Sequence, residues 1–397
     1  MMDQVIYLDN NATTRMDPRV FEAVKPYFCE RYGNASSIHT FGGSVMAEVE
    51  AARIQVAELL GATYRDKDGH ATEILFTSGG TESDNAALAA GTAVRPLRHR
   101  IVSTRIEHPA ILTTLQEYER KGYEIVLVPV DRQGRLDMAA MEAAINEDTA
   151  IVSVMWANNE IGNIFDVKKV AEMAHAKGAL FHTDAVQAVG KVPISLEDTE
   201  IDFLSLSGHK LHAAKGIGAL YIRRGVRFKP LITGGHQERS RRGGTENVPG
   251  IIGLGEACRL AKAEMAEETV MLAQLRDHLE QSLTAAIPAS AVNGDLEHRL
   301  PNTTSISFEG IEGEAILSLL NCYGICASSG SACTTGSLEP SHVLRAMGVP
   351  YTSAHGTIRF SLSKFSTKED VDAVIRVLPG IVETLRKMSP FWNGDAR

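Results

Sequence analysis

The sequence predicts an α/β fold: a sheet covered on both faces by helices, followed by a smaller α+β unit. Two observations carry this. Short apolar, β-rich runs alternate with helical stretches up to about residue 255, the rhythm of strands buried on both faces. Beyond that point the texture changes to one long amphipathic stretch and then to mixed strand and helix patterns. The boundaries drawn are 15–255 for the large domain, and 1–14 with 256–397 for the small one.

Taken in order, "EILFTS" (73–78) is a short apolar strand, and "GGTESDNAALAAG" turns from it into a helix. "HRIVST" (99–104) reads as a strand and "HPAILTTLQEYERKG" (108–122) as a helix ending on Gly122. The runs "EIVLVPV", "AIVSVMWA", "GALFHTDA", "IDFLSLS" and "IGALYIRR" follow as strands, some of them separated by helices such as "VKKVAEMAHAKG". "EACRLAKAEMAEETVMLAQLRDHLEQSLTAAI" keeps Leu272, Leu275, Leu279 and Leu283 at helical spacing. The strand "TTSISFEG", the helix "GEAILSLLNCYG", the strand "GTIRFSLS" and a closing helix complete the chain.

Composition excludes several functions. The 397 residues are 44% hydrophobic with net charge −9, ample for a large core and poorly suited to nucleic acid. The basic cluster "RRGVRFK" (223–229) is short and reads as a solvated turn. No apolar run approaches a membrane span, and the N-terminus lacks the layout of a signal peptide. Five cysteines without a CxxC pair support neither a zinc knuckle nor a thioredoxin-like motif. A reduced, cytoplasmic protein is expected.

Ligands of open α/β sheets bind outside the carboxyl ends of the strands. There the chain places Gly79, Gly80 and Thr81 after the first strand, with Asn158, Asn159 and Glu160 after "AIVSVMWA". Asp184 and Gln187 follow another, and Ser207, His209 and Lys210 another. Singly, each has an ordinary explanation: a capped turn, a helix cap, a solvated lysine, a packed histidine. Together they are a phosphate cup, a carboxylate and a lysine, which describe pyridoxal phosphate. A glycine turn opening a helix suits a phosphate. A buried Asp keeps the pyridine nitrogen protonated, and the lysine amine forms the Schiff base.

The stretch "SLSGHKLHAAKGIGALY" resembles the lysine segment of the aminotransferase class V group of fold-type I pyridoxal phosphate enzymes. With "YLDNNATT", "GNASSIHTFG", "TSGGTESDN", "EHPAIL", "NNEIG", "HTDAVQAVGK", "GGHQERSRRGGTEN", "SSGSACTTGSLEPSHVLRAMG" and "IRFSLS", it looks like a cysteine desulfurase over roughly 5–390. "DNNATT" and "GGHQERSRRGGTEN" resemble the nitrogen-fixation (NifS) type more than the housekeeping type. One departure is Ala213-Ala214 before Lys215, where many relatives carry a proline; it is expected to loosen the turn after Lys210.

The resemblance implies a mostly parallel seven-stranded sheet and a set of roles. Lys210 holds the cofactor and moves the α-proton. Asp184 pairs with the pyridinium nitrogen, and His108 stacks on the ring and shuttles protons. Gln187 bonds the ring oxygen. Gly80, Thr81, Ser207, Gly208 and His209 form the phosphate cup. Asn159 and Arg359 bind the substrate carboxylate, Arg359 as a bidentate clamp. Thr245 reaches the phosphate of a neighbouring subunit, so a homodimer is implied.

Cys333 lies in "CASSGSACTTGSLEPSH", among small polar residues that build no core. By itself it reads equally as an incidental loop thiol. By resemblance it is the nucleophile that takes sulfur from L-cysteine as a persulfide, on a loop of about 326–340 that must also present it to an iron–sulfur scaffold protein. Any contact with the metal of a nascent cluster would run through Cys333, and whether it occurs is left open. Cys29, Cys258, Cys322 and Cys326 are expected to be buried small hydrophobes. Rival readings are an aminotransferase or a selenocysteine lyase on the same fold, and a non-catalytic binding protein.

Overall fold

The structure, a computed structural model, describes residues 5–197, 199–329 and 339–392. Its first strand, β1 (Ile6–Tyr7), is followed by seven that form one sheet: β2 (Ile74–Thr77), β3 (Arg100–Thr104), β4 (Glu124–Val128), β5 (Thr149–Ser153), β6 (Leu180–Asp184), β7 (Phe203–Ser207) and β8 (Gly218–Ile222). Their order across the sheet is β2-β8-β7-β6-β5-β3-β4. Only β8 runs against its neighbours. The carboxyl ends of the other six therefore share one edge, the geometry the sequence predicts for an α/β sheet with a ligand at its rim.

Side chains along the strands alternate between two cores, because successive residues of a strand point to opposite faces. Leu180, Phe203, Ile151 and Leu220 pack with Ala86, Ala87, Leu88 and Ala90 of the helix Gly80–Ala93. Phe181, Leu204, Val152 and Ala219 face the other side, against Val170, Ala171 and Ala174 of Val167–Ala176. Ala-rich helix surfaces allow close approach. At Gly91 a Cβ would stand 2.5 Å from Cδ1 of Ile151, so even alanine would push the helix off the sheet.

Four more strands follow: β9 (Ser290–Asn293), β10 (Thr303–Phe308), β11 (Ile325–Cys326) and β12 (Thr357–Ser361). β9, β10 and β12 form an antiparallel sheet, and β11 pairs in parallel with β1. A separate core of Leu279, Leu283, Ile306, Phe308, Ile358, Phe360, Val374 and Leu378 covers this sheet, and Leu8 from the chain start joins it.

The long helix differs from its sequence reading. It begins at Val248, not Glu256, and runs unbroken to Ala286. Its first turns pack Ile251, Leu254 and Ala257 into the large core, and its later turns pack Leu272, Leu279 and Leu283 into the smaller one. Gly250, Gly253 and Gly255 hide the start, since glycine is a poor helix former. At Gly255 a Cβ would lie 2.6 Å from Cα of Ala52, so glycine there permits contact with the helix Met46–Leu59.

Two thiol expectations also fail. Cys258 is buried, but Cys29 and Cys322 are exposed and Cys326 is partly buried. Cys29 ends a one-turn helix with no buried residue, and the Cys322 thiol turns back onto the Ser318 carbonyl at 3.5 Å. The Arg223 of the basic cluster is no solvated charge: it bonds the buried Asp202 at 2.6 Å.

Candidate active site

Five of the six strand ends on the common edge, those of β2, β3, β5, β6 and β7, deliver functional groups. β2 leads into Gly79 and the helix Gly80–Ala93, whose start has no side-chain cap. Its first backbone N–H groups thus face outward with the positive end of the helix behind them. Ser207 ends β7 and is separated from β2 by β8, yet the two loops meet. Gly218 pairs with both Thr77 and Ser207, and a Cβ there would lie 2.7 Å from Cα of Gly79. Glycine at the start of β8 lets the Gly79 turn fold over it, and a Cβ on Gly79 would stand 3.7 Å from Ser207 Oγ. Gly80, Ser207 and Gly208 therefore line one cup, with Thr81 exposed above it.

The turn after β7 carries His209 and Lys210 as a short 3-10 segment, Gly208–Lys210. Despite Ala213-Ala214, the turn is closed by backbone bonds: Leu211 and Ala213 both donate to the Gly208 carbonyl, at 2.9 and 3.0 Å. Lys210 Nζ donates to the carbonyls of Asn11 and Ala12, the latter at 2.7 Å. His209 Nδ1 lies 3.1 Å from Thr13 Oγ1, and burial with the nearby lysines lowers its pKa to about 4. A neutral imidazole at the cup can donate one N–H to a phosphate without adding a charge that titrates near neutrality.

Asp184 ends β6, buried, and its Oδ1 accepts from Val186 N at 2.9 Å. Burial pushes this carboxyl up, against the pull of His108 and Lys210. Such a group gains most from a cationic N–H partner. His108 caps the helix Pro109–Arg120, its Nδ1 accepting from Ala110 N at 3.1 Å. Burial holds its imidazole below the ordinary range, opposed by Asp184. Nδ1 is committed as an acceptor, so the neutral ring carries its proton on Nε2.

Arg359, on β12, is buried. Its Nη2 bonds Asp9 at 2.7 Å and its Nη1 bonds the Asn159 carbonyl at 3.1 Å. Nε is buried without a partner among the described residues. Asn159 makes these contacts through its carbonyl, which also accepts from Asn11 Nδ2 at 3.0 Å. Gln187 is buried and donates through Nε2 to the Asn11 carbonyl at 3.0 Å. Thr245 is exposed in the 241–247 loop, where the neighbouring Arg242 bonds Glu82 in the first turn of the Gly80–Ala93 helix at 3.0 Å.

Cys333 lies outside the described residues. The chain on either side of it is anchored at the site. Ser328 pairs with Arg359 through two backbone bonds of 3.2 and 2.6 Å. Ser341 Oγ donates to the buried Glu160, and His342 Nε2 lies 2.9 Å from the Glu107 carbonyl. Cys326 is the rival thiol. β11 pins it beside Tyr7, and burial followed by Asp9 raises its pKa, which leaves less thiolate.

Several residues at the site escaped the sequence reading. Asn11 supplies the carbonyl on which Lys210 and Gln187 converge. Lys191 bonds Gln187. Behind Asp184, His182 is wholly buried between Ser153 and Ser205, each 2.9 Å from one ring nitrogen, and burial drops its pKa to about 3. Asp84 and Glu107 are buried carboxyls, Glu107 raised to about 8 by burial. A polar residue inside an apolar strand, such as His182, was the available signal.

The site fits pyridoxal phosphate on its own chemistry. An uncapped helix start and Ser207 suit the phosphate, a desolvated carboxylate suits a protonated ring nitrogen, and a lysine stands at the same edge. Comparison with known proteins agrees. The aminotransferase class-V family matches residues 6–374. The chain is 58% identical over 392 residues to a cysteine desulfurase of Gluconacetobacter diazotrophicus, covering 98% of this chain and 96% of that one. It is 54% identical over 390 residues to the cysteine desulfurase NifS of Azotobacter vinelandii, with the same coverage. A solved NifS-like protein superposes with a TM-score of 0.89 at 40% identity, over 96% of this chain and 100% of that one. Agreement along nearly the whole length, on a sheet whose strand ends converge in this way, makes the chain a member of the aminotransferase class-V family.

Proposed function

We propose that the chain is a pyridoxal phosphate-dependent cysteine desulfurase that converts L-cysteine to L-alanine and leaves the sulfur on Cys333. The convergence of Lys210, Asp184 and His108 at one sheet edge, with mutual electrostatic coupling, carries the chemistry. Identity of 54–58% to cysteine desulfurases carries the substrate.

Pyridoxal phosphate, when bound, supplies an electron sink that weakens the Cα–H and Cβ–S bonds of the substrate. The rest falls to the chain. Arg359 and Asn159 hold the substrate carboxylate, Arg359 through the Nη N–H donors not used on Asp9 and the Asn159 carbonyl. Lys210 Nζ takes the α-proton and returns one. The Cys333 thiolate attacks the substrate sulfur, so an S–S bond forms as the C–S bond breaks. Protonation at Cβ then leaves alanine. His108 Nε2–H supplies a proton in this reading. Cys333 follows Ser328 by five positions, a tether of at most ~17 Å when extended, and Ser328 sits on Arg359.

Residues 15–255 form the cofactor-binding domain in this reading, and 1–14 with 256–397 form the smaller one. The free thiols suit a reducing cytoplasm. Among the described residues no helix is long and apolar enough to cross a membrane. The persulfide passes to an iron–sulfur scaffold protein, as befits similarity to NifS, with nitrogenase maturation as the destination. Holoenzyme given L-cysteine and a thiol reductant is expected to form alanine and sulfide one for one. Pyruvate or a keto acid in place of alanine would contradict the reading.

The partner in the site is a second copy. Tyr32 and Phe41 stack edge to face with centroids 5.1 Å apart, both exposed, near the exposed Ile38. Ser36 in the same loop bonds Glu246, next to Thr245. Exposed apolar side chains of this kind mark an interface. Thr245→Val is expected to weaken cofactor retention about tenfold, the loss of one hydrogen bond to a charged phosphate. Equilibrium dialysis of the cofactor measures it. Unchanged retention, or a fully active monomer in sedimentation, would contradict the shared site.

A further inference from the structure

We propose that Lys191 is a positioning residue that fixes the orientation of the Gln187 amide, so that an N–H of Gln187 faces the cofactor's ring oxygen. The proposal rests on the reading of Gln187 given above and extends it to a second lysine for which that reading has no role.

Donors and acceptors fix the orientation of this amide. Lys191 Nζ lies 2.8 Å from Gln187 Oε1 and 3.1 Å from the Gln187 carbonyl. An ammonium only donates, so the end of the amide that faces it must be the oxygen. At the other end, Gln187 Nε2 lies 3.0 Å from the Asn11 carbonyl, which only accepts. Both ends thus dictate the same orientation. The side-chain amide has two N–H donors, and Asn11 uses one. The second is left for the site, where Lys210 Nζ also bonds the Asn11 carbonyl. Without Lys191, only the Asn11 carbonyl would oppose the amide turning its oxygen inward, against an anionic ring oxygen.

The turn around Gly190 holds Lys191 in place. Gly190 has φ 75°, and Lys191 N donates to the Ala188 carbonyl at 3.0 Å. Thr269 Oγ1, from the long helix, donates to the Lys191 carbonyl at 3.3 Å. The charged and titratable groups around Lys191 are Lys210, His209 and His212 after β7, Arg359 on β12, Lys364 beyond it, and Glu268 on the long helix. Burial, then Lys210 and Arg359, lower the Lys191 pKa to about 7. The neutral amine keeps two N–H donors, so the orientation persists when it loses its proton.

The test is the pH midpoint of the visible absorbance of the bound cofactor in purified holoenzyme. A donor to the ring oxygen stabilises its anionic form, so its loss moves the midpoint up. Gln187→Leu is expected to raise the midpoint by about one unit, and Lys191→Met to raise it by a smaller amount, since Asn11 still holds the amide. Lys191→Arg, which keeps a donor, should restore most of the parental value. In the double variant, Lys191→Met should add nothing to Gln187→Leu, because it acts through that amide. If Gln187→Leu shifts the midpoint and Lys191→Met does not, the positioning role is wrong and the Gln187 reading stands. Additive shifts would overturn the proposal as well, since Lys191 would then act by its charge alone. A Gln187→Leu variant with a parental midpoint would remove the Gln187 reading and the proposal with it.

Discussion

Lys210→Ala is expected to lower turnover of L-cysteine by at least about 10³-fold, the scale of a lost proton-transfer base. Pyridoxal phosphate should still bind, because the Gly80 helix start, Ser207 and Asp184 are untouched. It should be released by dialysis, and borohydride should no longer fix it to the chain. The fold should survive. Lys210 is only partly buried in a short turn, and the turn is closed by backbone bonds from Leu211 and Ala213 to Gly208. Near-parental activity in this variant would remove the whole assignment.

Cys333→Ala is expected to be as inactive, for a different reason. The surrounding residues are Ser, Gly, Ala and Thr, with little apolar surface to lose, so stability should stay within about 0.5 kcal/mol of the parent. The cofactor should remain bound, since none of its proposed ligands changes. L-Cysteine should still enter and perturb the visible spectrum, because Arg359, Asn159 and Lys210 remain. The Cβ–S bond should stay intact for want of an acceptor. Cys326→Ala should retain most activity, because its thiol is tied into β11 and its pKa is raised by burial. A Cys333→Ala variant that desulfurates at the parental rate would favour the lyase reading instead.

Much of this arrangement is legible in the sequence because strand ends are. "EILFTS", "GALFHTDA" and "IDFLSLS" are apolar runs that stop on polar residues. A buried sheet has little structural use for Asp184, Gln187 or Lys210 there. The direction of β8 is not legible. Residues 208–217 separate it from β7, and apolar periodicity is the same for a parallel and an antiparallel strand. The start of the long helix is masked by three glycines that serve close packing rather than helix propensity. The role of Asn11 is hidden for another reason. It acts through its backbone carbonyl, which every residue owns and no side-chain pattern reveals. Lys191 was in view inside "HTDAVQAVGK", but its partner is a single amide oxygen that only the fold identifies.

The claim that most needs testing is that the sulfur leaves L-cysteine for Cys333. Mass spectrometry of the Cys333 peptide after a single turnover, without reductant, addresses it directly. The account predicts one additional sulfur atom on that peptide, removable by a thiol reductant, with none on the peptides of Cys29, Cys258, Cys322 or Cys326. Alanine formed at full stoichiometry with no sulfur on Cys333 would contradict it.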